Sequence, residues 1–128
     1  MQPTHQIVLA STSKYRRELL TRLGLPFEVA SPGVDETPLP NEAPQETSRR
    51  LAEAKSRAVA ERFPQAIVIG SDQVAVLDGV PLGKPGNHAN AVRQLIAMRG
   101  KEVVFHTALC LCHAASGRTA TRVVPYYV

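Results

Sequence analysis

The chain has 128 residues, 44% of them hydrophobic and 5% aromatic, with no Trp and a net charge of +4 from 15 Lys and Arg against 11 Asp and Glu. That is the length of one domain, expected over 1–128, with an aliphatic core. No apolar run reaches the ~20 residues that cross a bilayer, so no membrane partner is expected. The small positive charge, without a Lys/Arg block or basic-aromatic interleaving, makes nucleic acid an unlikely partner.

In chain order, "QIVLA" (Gln6–Ala10) is a short apolar strand. Ser11, Thr12 and Ser13 can each cap the helix "KYRRELLTRLG", which Gly24 ends, with Leu19, Leu20 and Leu23 as its apolar stripe. "PFEVA" alternates as a second strand with Phe27 and Val29 inward. "SPGVDETPLPNEAP", with four prolines in 14 residues, is loop. A long helix is expected from Pro44 to Arg62, with Leu51, Ala54 and Ala58 facing inward.

"AIVIGSDQVAVLDG" then reads as a buried strand carrying an acid, ended by an Asp-Gly tight turn at Leu77–Val80. "LGKPGN" is loop; Asn87 caps a third helix, His88–Arg99, which Gly100 terminates. "EVVFHTALCLCHA", "SG" and "RTATRVVPYYV" form a β-hairpin. The order β-α-β-α-β-α-β-β predicts an α/β fold, a mixed sheet flanked by helices. Cys110 and Cys112 share one face of their strand; a lone C-x-C lacks a second zinc-ligand pair, so buried reduced thiols are expected. The N-terminus has no charged head, long apolar stretch and cleavage site, which makes the cytoplasm the expected compartment.

Three features carry candidate chemistry. "LASTSKYRR" is a strand, three hydroxyl residues and a helix N-terminus with Arg16 and Arg17. Unpaired N–H groups, hydroxyls and a guanidinium suit phosphate, although a capped surface helix with solvated arginines uses the same residues. Lys55 lies at the edge of an apolar helix stripe, where it either snorkels to water or reaches a cleft beside the sheet. Asp72 stands within a strand, flanked by apolar residues, with Glu36 and Lys84 of related chemistry elsewhere. A buried carboxylate needs a metal, a water or a cation as partner; a structural role would pair it with one arginine or a turn. Together these residues make an inventory for phosphoryl chemistry, which is mostly positioning and charge neutralisation. No G-x-x-x-x-G-K-[ST], G-x-G-x-x-G or G-x-S-x-G motif is present, so P-loop, Rossmann and α/β-hydrolase chemistries are not supported.

"LASTSKYRRELL", "VDETP", "RLAEAKSRAVA", "GSDQVAVLDG" and "GKP", in this order from Leu9 to Pro85, resemble the successive motifs of the Maf family of nucleotide pyrophosphatases. "VVFHTALCL" resembles the family's next strand more loosely, with Ala108 where glycine is common. The resemblance implies a Maf/ITPase-like fold and hydrolysis of a nucleoside triphosphate between its α and β phosphates, assisted by a divalent cation such as Mg²⁺ or Mn²⁺. It implies Asp72 as proton acceptor, with Ser11, Arg16, Glu36, Lys55 and Lys84 at the other polar site positions. The chemistry of the residues agrees: Arg16 and Lys55 grip phosphates, Lys84 neutralises leaving pyrophosphate, and Glu36 joins Asp72 in holding the metal.

Tyr15 falls where the branch acting on dTTP and UTP has arginine, and Gln73 where that branch has threonine. An aromatic residue followed by "SDQV" resembles the branch acting on 7-methyl-GTP. N7-methylation makes guanine cationic, and stacking a cation on an aromatic face is worth about 0.5–2 kcal/mol. The alternative for Tyr15 is packing within its own helix. Ser13-Lys14 replaces the family's Ser-Pro, and family members run further, into a portion that closes the cleft and supports a homodimer. The chain stops at Val128 inside a strand-like run, so either this last strand closes the sheet or, as the resemblance implies, the fold is incomplete at its C-terminus. The competing functional readings are pyrophosphatase activity on dTTP, UTP or another unusual nucleotide, and a non-catalytic nucleotide-binding fragment.

Overall fold

The computed structural model describes residues 6–82 and 87–128. Six strands form one mixed sheet: β1 (Ile7–Ala10), β2 (Glu28–Ala30), β3 (Ile67–Leu77), β4 (Val80–Leu82), β5 (Val103–His113) and β6 (Arg118–Tyr127). The order across it is β2-β1-β3-β5-β6, with β4 paired to β3 off that path. The β2, β1 and β3 strands are parallel, whereas β3, β5 and β6 are successively antiparallel. Helices α1 (Lys14–Thr21), α2 (Pro44–Ala60) and α3 (His88–Met98) complete the mixed α/β architecture. The β4 strand adds an element to the expected order. Asp78 and Gly79 both have positive φ, at 51° and 79°, so the Asp-Gly turn folds the chain straight back onto β3.

Helix α2 organises the core. Its buried residues are Thr47, Ser48, Leu51, Ala52, Lys55, Ser56, Val59 and Ala60, the i, i+4 stripe of a helix laid on a sheet. Leu51 faces inward as expected, but Ala54 and Ala58 flank the buried stripe, which lies on the Ala52–Ser56 side. Val59 and Ala60 pack with Val8, Ala10, Ala66, Val68 and Cys112; Ala52 packs with Ala108 and Cys110. Each fully buried valine of this set contributes roughly 1.5–3 kcal/mol of apolar transfer. Ser48, Ala52 and Ser56 are small, and opposite them β3 has a glycine. A Cβ on Gly70 would lie 2.2 Å from the Ala52 carbonyl oxygen and 2.7 Å from the Ser56 nitrogen. The contact between helix and sheet is therefore made backbone to backbone.

Other expectations fare differently. Ser13 and Asn87 cap α1 and α3, their side chains accepting from the Arg16 and Asn90 amides. Both cysteines are buried and free, and Cys110 Sγ lies 3.1 Å from the Ser56 hydroxyl. Val29, expected inward, is exposed, because the β2 residue packed on the core is Ala30, beside Phe63. The α1 stripe is not buried either: Leu19 and Leu23 are exposed and no α1 residue is buried, since nothing among the described residues covers that helix face.

Candidate functional site

The long strand β3 creates the site by outrunning its parallel neighbour. Its register with β1 ends at Ile69, and its register with β4 starts at Ala75. Between them, residues 70–74 have β5 on one side and neither β1 nor β4 on the other. This gap lies just past the C-terminal end of β1, where the chain turns through Ser11 into α1. A crevice at the carboxyl ends of parallel strands is where open α/β sheets bind ligands. The resulting cleft has a volume of about 920 Å³ and is lined by, among others, Ser11, Ser13, Arg16, Glu36, Lys55 and Asp72.

Asp72 is on the α2-facing side of β3, and Lys55 meets it from the helix stripe. Lys55 Nζ donates to Asp72 Oδ1 at 3.1 Å and to the Ser71 carbonyl at 3.3 Å, and pairs with Glu36 Oε1 at 3.1 Å. The side chains of Lys55 and Asp72 are 5% and 9% exposed; that of Glu36, on the proline-rich loop, is 57% exposed. Burial raises the Asp72 pKa above the usual carboxylate value, with Glu36 adding to the rise; Lys55 and, more weakly, Arg16 oppose it. The carboxylate thus has a cationic partner, and its proton affinity is shifted toward neutrality, as suits a general base.

Hydroxyl and guanidinium donors at the start of α1 line the same cleft. Ser11 is buried and its Oγ accepts from the Ser13 amide at 3.0 Å; Ser13 Oγ accepts from the Arg16 amide at 3.3 Å. These bonds set the first turn of α1, so the half-buried Arg16 lines the cleft while Arg17 is exposed. Gln73 also lines the cleft, from the opposite face of β3, and donates to Thr107 Oγ1 at 2.9 Å. Tyr15 is 67% exposed on the first turn of α1 and is not among the cleft-lining residues. Lys84 lies outside the described residues.

Sequence reading missed the clamp that carries Glu36. Glu42 receives the Arg50 guanidinium in a fork, at 2.7 Å from Nε and 3.0 Å from Nη2, and accepts from Thr47 Oγ1 at 2.8 Å. Arg50 Nη2 also donates to the Thr37 carbonyl at 3.1 Å, one residue beyond Glu36. The Arg50 fork lowers the Glu42 pKa from 4.5 to about 2. An arginine next to the Leu51 stripe and an acid just before the helix were the available signals, eight residues apart and unpaired until the loop folds back.

Two acids, Glu36 and Asp72, converge on one point. Among the described residues no group of three or more His, Cys, Asp or Glu gathers that could hold a metal ion by itself. Two carboxylates suit a cation that takes its remaining ligands from substrate phosphates, the usual habit of Mg²⁺. The donor set fits a divalent ion on that condition.

The fold defines the class. The chain superposes on the nucleoside-triphosphatase/dITP/XTP pyrophosphatase of Mycobacterium abscessus with a TM-score of 0.58 and 17% identity, covering 95% of this chain and 72% of that one. It superposes on the Ham1 protein of Staphylococcus aureus with a TM-score of 0.63 and 17% identity, covering 95% and 70%. At this identity the likeness is one of fold.

The family follows from sequence. The Maf-like protein profile matches residues 6–127, and the chain belongs to the Maf family. It is 60% identical over 122 residues to the 7-methyl-GTP pyrophosphatase of Methylobacillus flagellatus, and 57% identical over 124 residues to that of Nitrosospira multiformis. It is 63% identical over 118 residues to the protein of the same name from a Polaromonas species. These matches cover 95%, 97% and 91% of this chain but 64%, 63% and 54% of the relatives, so the chain spans between half and two thirds of their length.

Proposed function

We propose that residues 1–128 form a single nucleotide-binding unit of a cytoplasmic pyrophosphatase that converts 7-methyl-GTP to 7-methyl-GMP and pyrophosphate. The observation that carries the reading is the buried Lys55–Asp72 pair, joined by Glu36, in a cleft that Arg16 also lines, in a Maf-family chain. Relatives named 7-methyl-GTP pyrophosphatase support the substrate.

In this mechanism Asp72 takes a proton from the attacking water. The water oxygen bonds to phosphorus at the α–β anhydride, and pyrophosphate leaves with the bridging oxygen. Arg16 and Lys55 hold the phosphates and meet the charge that builds on them, with Lys84 assigned to the leaving group. Ser11, which anchors the turn into α1, keeps the Arg16 donors aimed into the cleft. Glu36 and Asp72 would hold a Mg²⁺ or Mn²⁺ ion, which supplies further charge neutralisation at the phosphates. The exposed Tyr15 ring is assigned to stack on the cationic methylated base, and the Gln73 amide to its edge. A homodimer is part of the proposal for the longer protein.

The test is pyrophosphate release from 7-methyl-GTP, GTP, dTTP and UTP with Mg²⁺ or Mn²⁺. Selective cleavage of 7-methyl-GTP is expected, falling at least about 100-fold in Asp72→Asn, as for loss of a general base. Triphosphate affinity should change little, because the substitution removes no phosphate donor. Cleavage of dTTP or UTP in preference would establish the other family specificity. Binding without cleavage would leave a nucleotide-binding fragment.

A further inference from the structure

The Lys55 ammonium is saturated. It has three N–H donors, and three acceptors surround it: Asp72 Oδ1 at 3.1 Å, Glu36 Oε1 at 3.1 Å and the Ser71 carbonyl at 3.3 Å. It lies between the two carboxylates assigned to a divalent cation. One site cannot hold both the ammonium and that cation, because two like charges so close repel strongly where water is scarce. Nor do the described residues offer a third acid, histidine or cysteine to complete a metal site without a nucleotide. Lys55 is also one of the two described cations assigned to the phosphates, so its donors cannot serve phosphate and both carboxylates at once.

We propose that Lys55 is a built-in stand-in for the metal. In the free protein its ammonium fills the cation position between Glu36 and Asp72, and incoming phosphates draw it away and open that position to a divalent ion. The exchange balances: the anionic substrate takes the lysine, and the two released carboxylates take the cation. Metal and triphosphate therefore bind as a mutually dependent pair, and the free protein discriminates against metal alone. By linkage, whatever factor the nucleotide adds to metal affinity, the metal must add to nucleotide affinity. This inference rests on the pyrophosphatase reading for the identity of the anion, and on the observed geometry for the stand-in.

The experiment measures Mn²⁺ binding by electron paramagnetic resonance of the free ion, without turnover. The ligand is a 7-methyl-GTP analogue with a methylene group bridging the α and β phosphorus atoms. The wild-type chain should bind Mn²⁺ weakly alone, and at least about tenfold more tightly with analogue present, within the usual range of coupling between sites. Lys55→Met should shift the two affinities in opposite directions: Mn²⁺ alone binds more tightly than to wild type, and analogue alone binds more weakly. A lysine that serves only to stabilise the fold would not give that opposition. Tight Mn²⁺ binding to the free wild-type chain, unchanged in a folded Lys55→Met, would overturn the stand-in. If Lys55→Met does not fold, Glu36→Gln decides, since Glu36 is half exposed: the analogue-dependent gain in Mn²⁺ affinity should vanish, and its persistence would overturn the proposal. Failure of the analogue to bind any form would overturn the pyrophosphatase reading, while the Mn²⁺ comparison between wild type and Lys55→Met would still decide the stand-in.

Discussion

Asp72 and Glu42 are two carboxylates whose environments push them apart. Burial raises the Asp72 pKa, so its ionisation opposes folding as pH rises through that raised value; the Lys55 ammonium offsets the cost. Glu42 runs the other way. With a folded pKa of about 2 against an ordinary 4.5, it stabilises the fold above 4.5, and that contribution is lost as pH falls toward 2. Denaturant melts across this acid window should show a fall in stability that Glu42→Gln flattens. An unchanged profile in that variant would mean that another carboxylate controls acid unfolding. Neither behaviour is legible from "NEAP" or "GSDQ" alone, because each pKa depends on a partner distant in sequence.

At the scale of elements, α2 and β3 set the distance on which the site depends. Gly70 lets the helix approach, and Lys55 is three residues past Ala52, whose carbonyl the missing Cβ would strike. Gly70→Ala must push the helix back or bend the strand, overpacking that typically costs about 1–3 kcal/mol. Chemical denaturation should register that loss, together with weaker nucleotide binding because Lys55 retreats with the helix. A variant as stable as wild type would show that α2 can shift freely. The loop before α2 depends instead on Arg50, which joins Glu42 to the Thr37 carbonyl. Arg50→Lys keeps the charge but loses the planar fork. Hydrogen exchange of amides in residues 31–43 should accelerate while exchange in β3 and β5 does not; equal protection would show that the clamp does not hold the loop. The spacing of "RLAEAKSRAVA" marked the helix and placed Lys55 beside an apolar stripe. It carried no information on how close the sheet would come.

Among the described residues, the sheet is covered by a helix on one face only. The α2 helix shields the sheet face that carries Val68, Asp72, Ala108 and Cys110. On the other face Leu109 and Leu111 of β5 and Val124 and Tyr126 of β6 are exposed, and the α1 and α3 stripes are uncovered as well. Apolar area of this kind marks a surface that binds something or associates. The native chain should therefore bind the dye ANS, and Leu109→Lys with Leu111→Lys should lower that fluorescence without lowering stability. Loss of stability in the double variant would show instead that these leucines belong to the core. No helix among the described residues is long and apolar enough to cross a membrane, so the exposure is not that of a membrane-spanning helix.

The sequence by itself determined every described element except β4, because periodicity, caps and the Asp-Gly turn are local: Ser13 and Asn87 cap, and β5 and β6 pair as a hairpin. It also determined the family and the identity of the charged residues assigned to phosphate chemistry. Only the tertiary structure decided which of them meet. Lys55 and Asp72 are 17 residues apart, and Glu36 is on a loop of no regular pattern. Their convergence depends on β3 outrunning β1, on the missing Cβ of Gly70 and on the grip of Arg50 on Glu42. Exposure of Val29, Leu19 and Leu23 was likewise decided by what else lies over each face, which no pattern within a single strand or helix encodes.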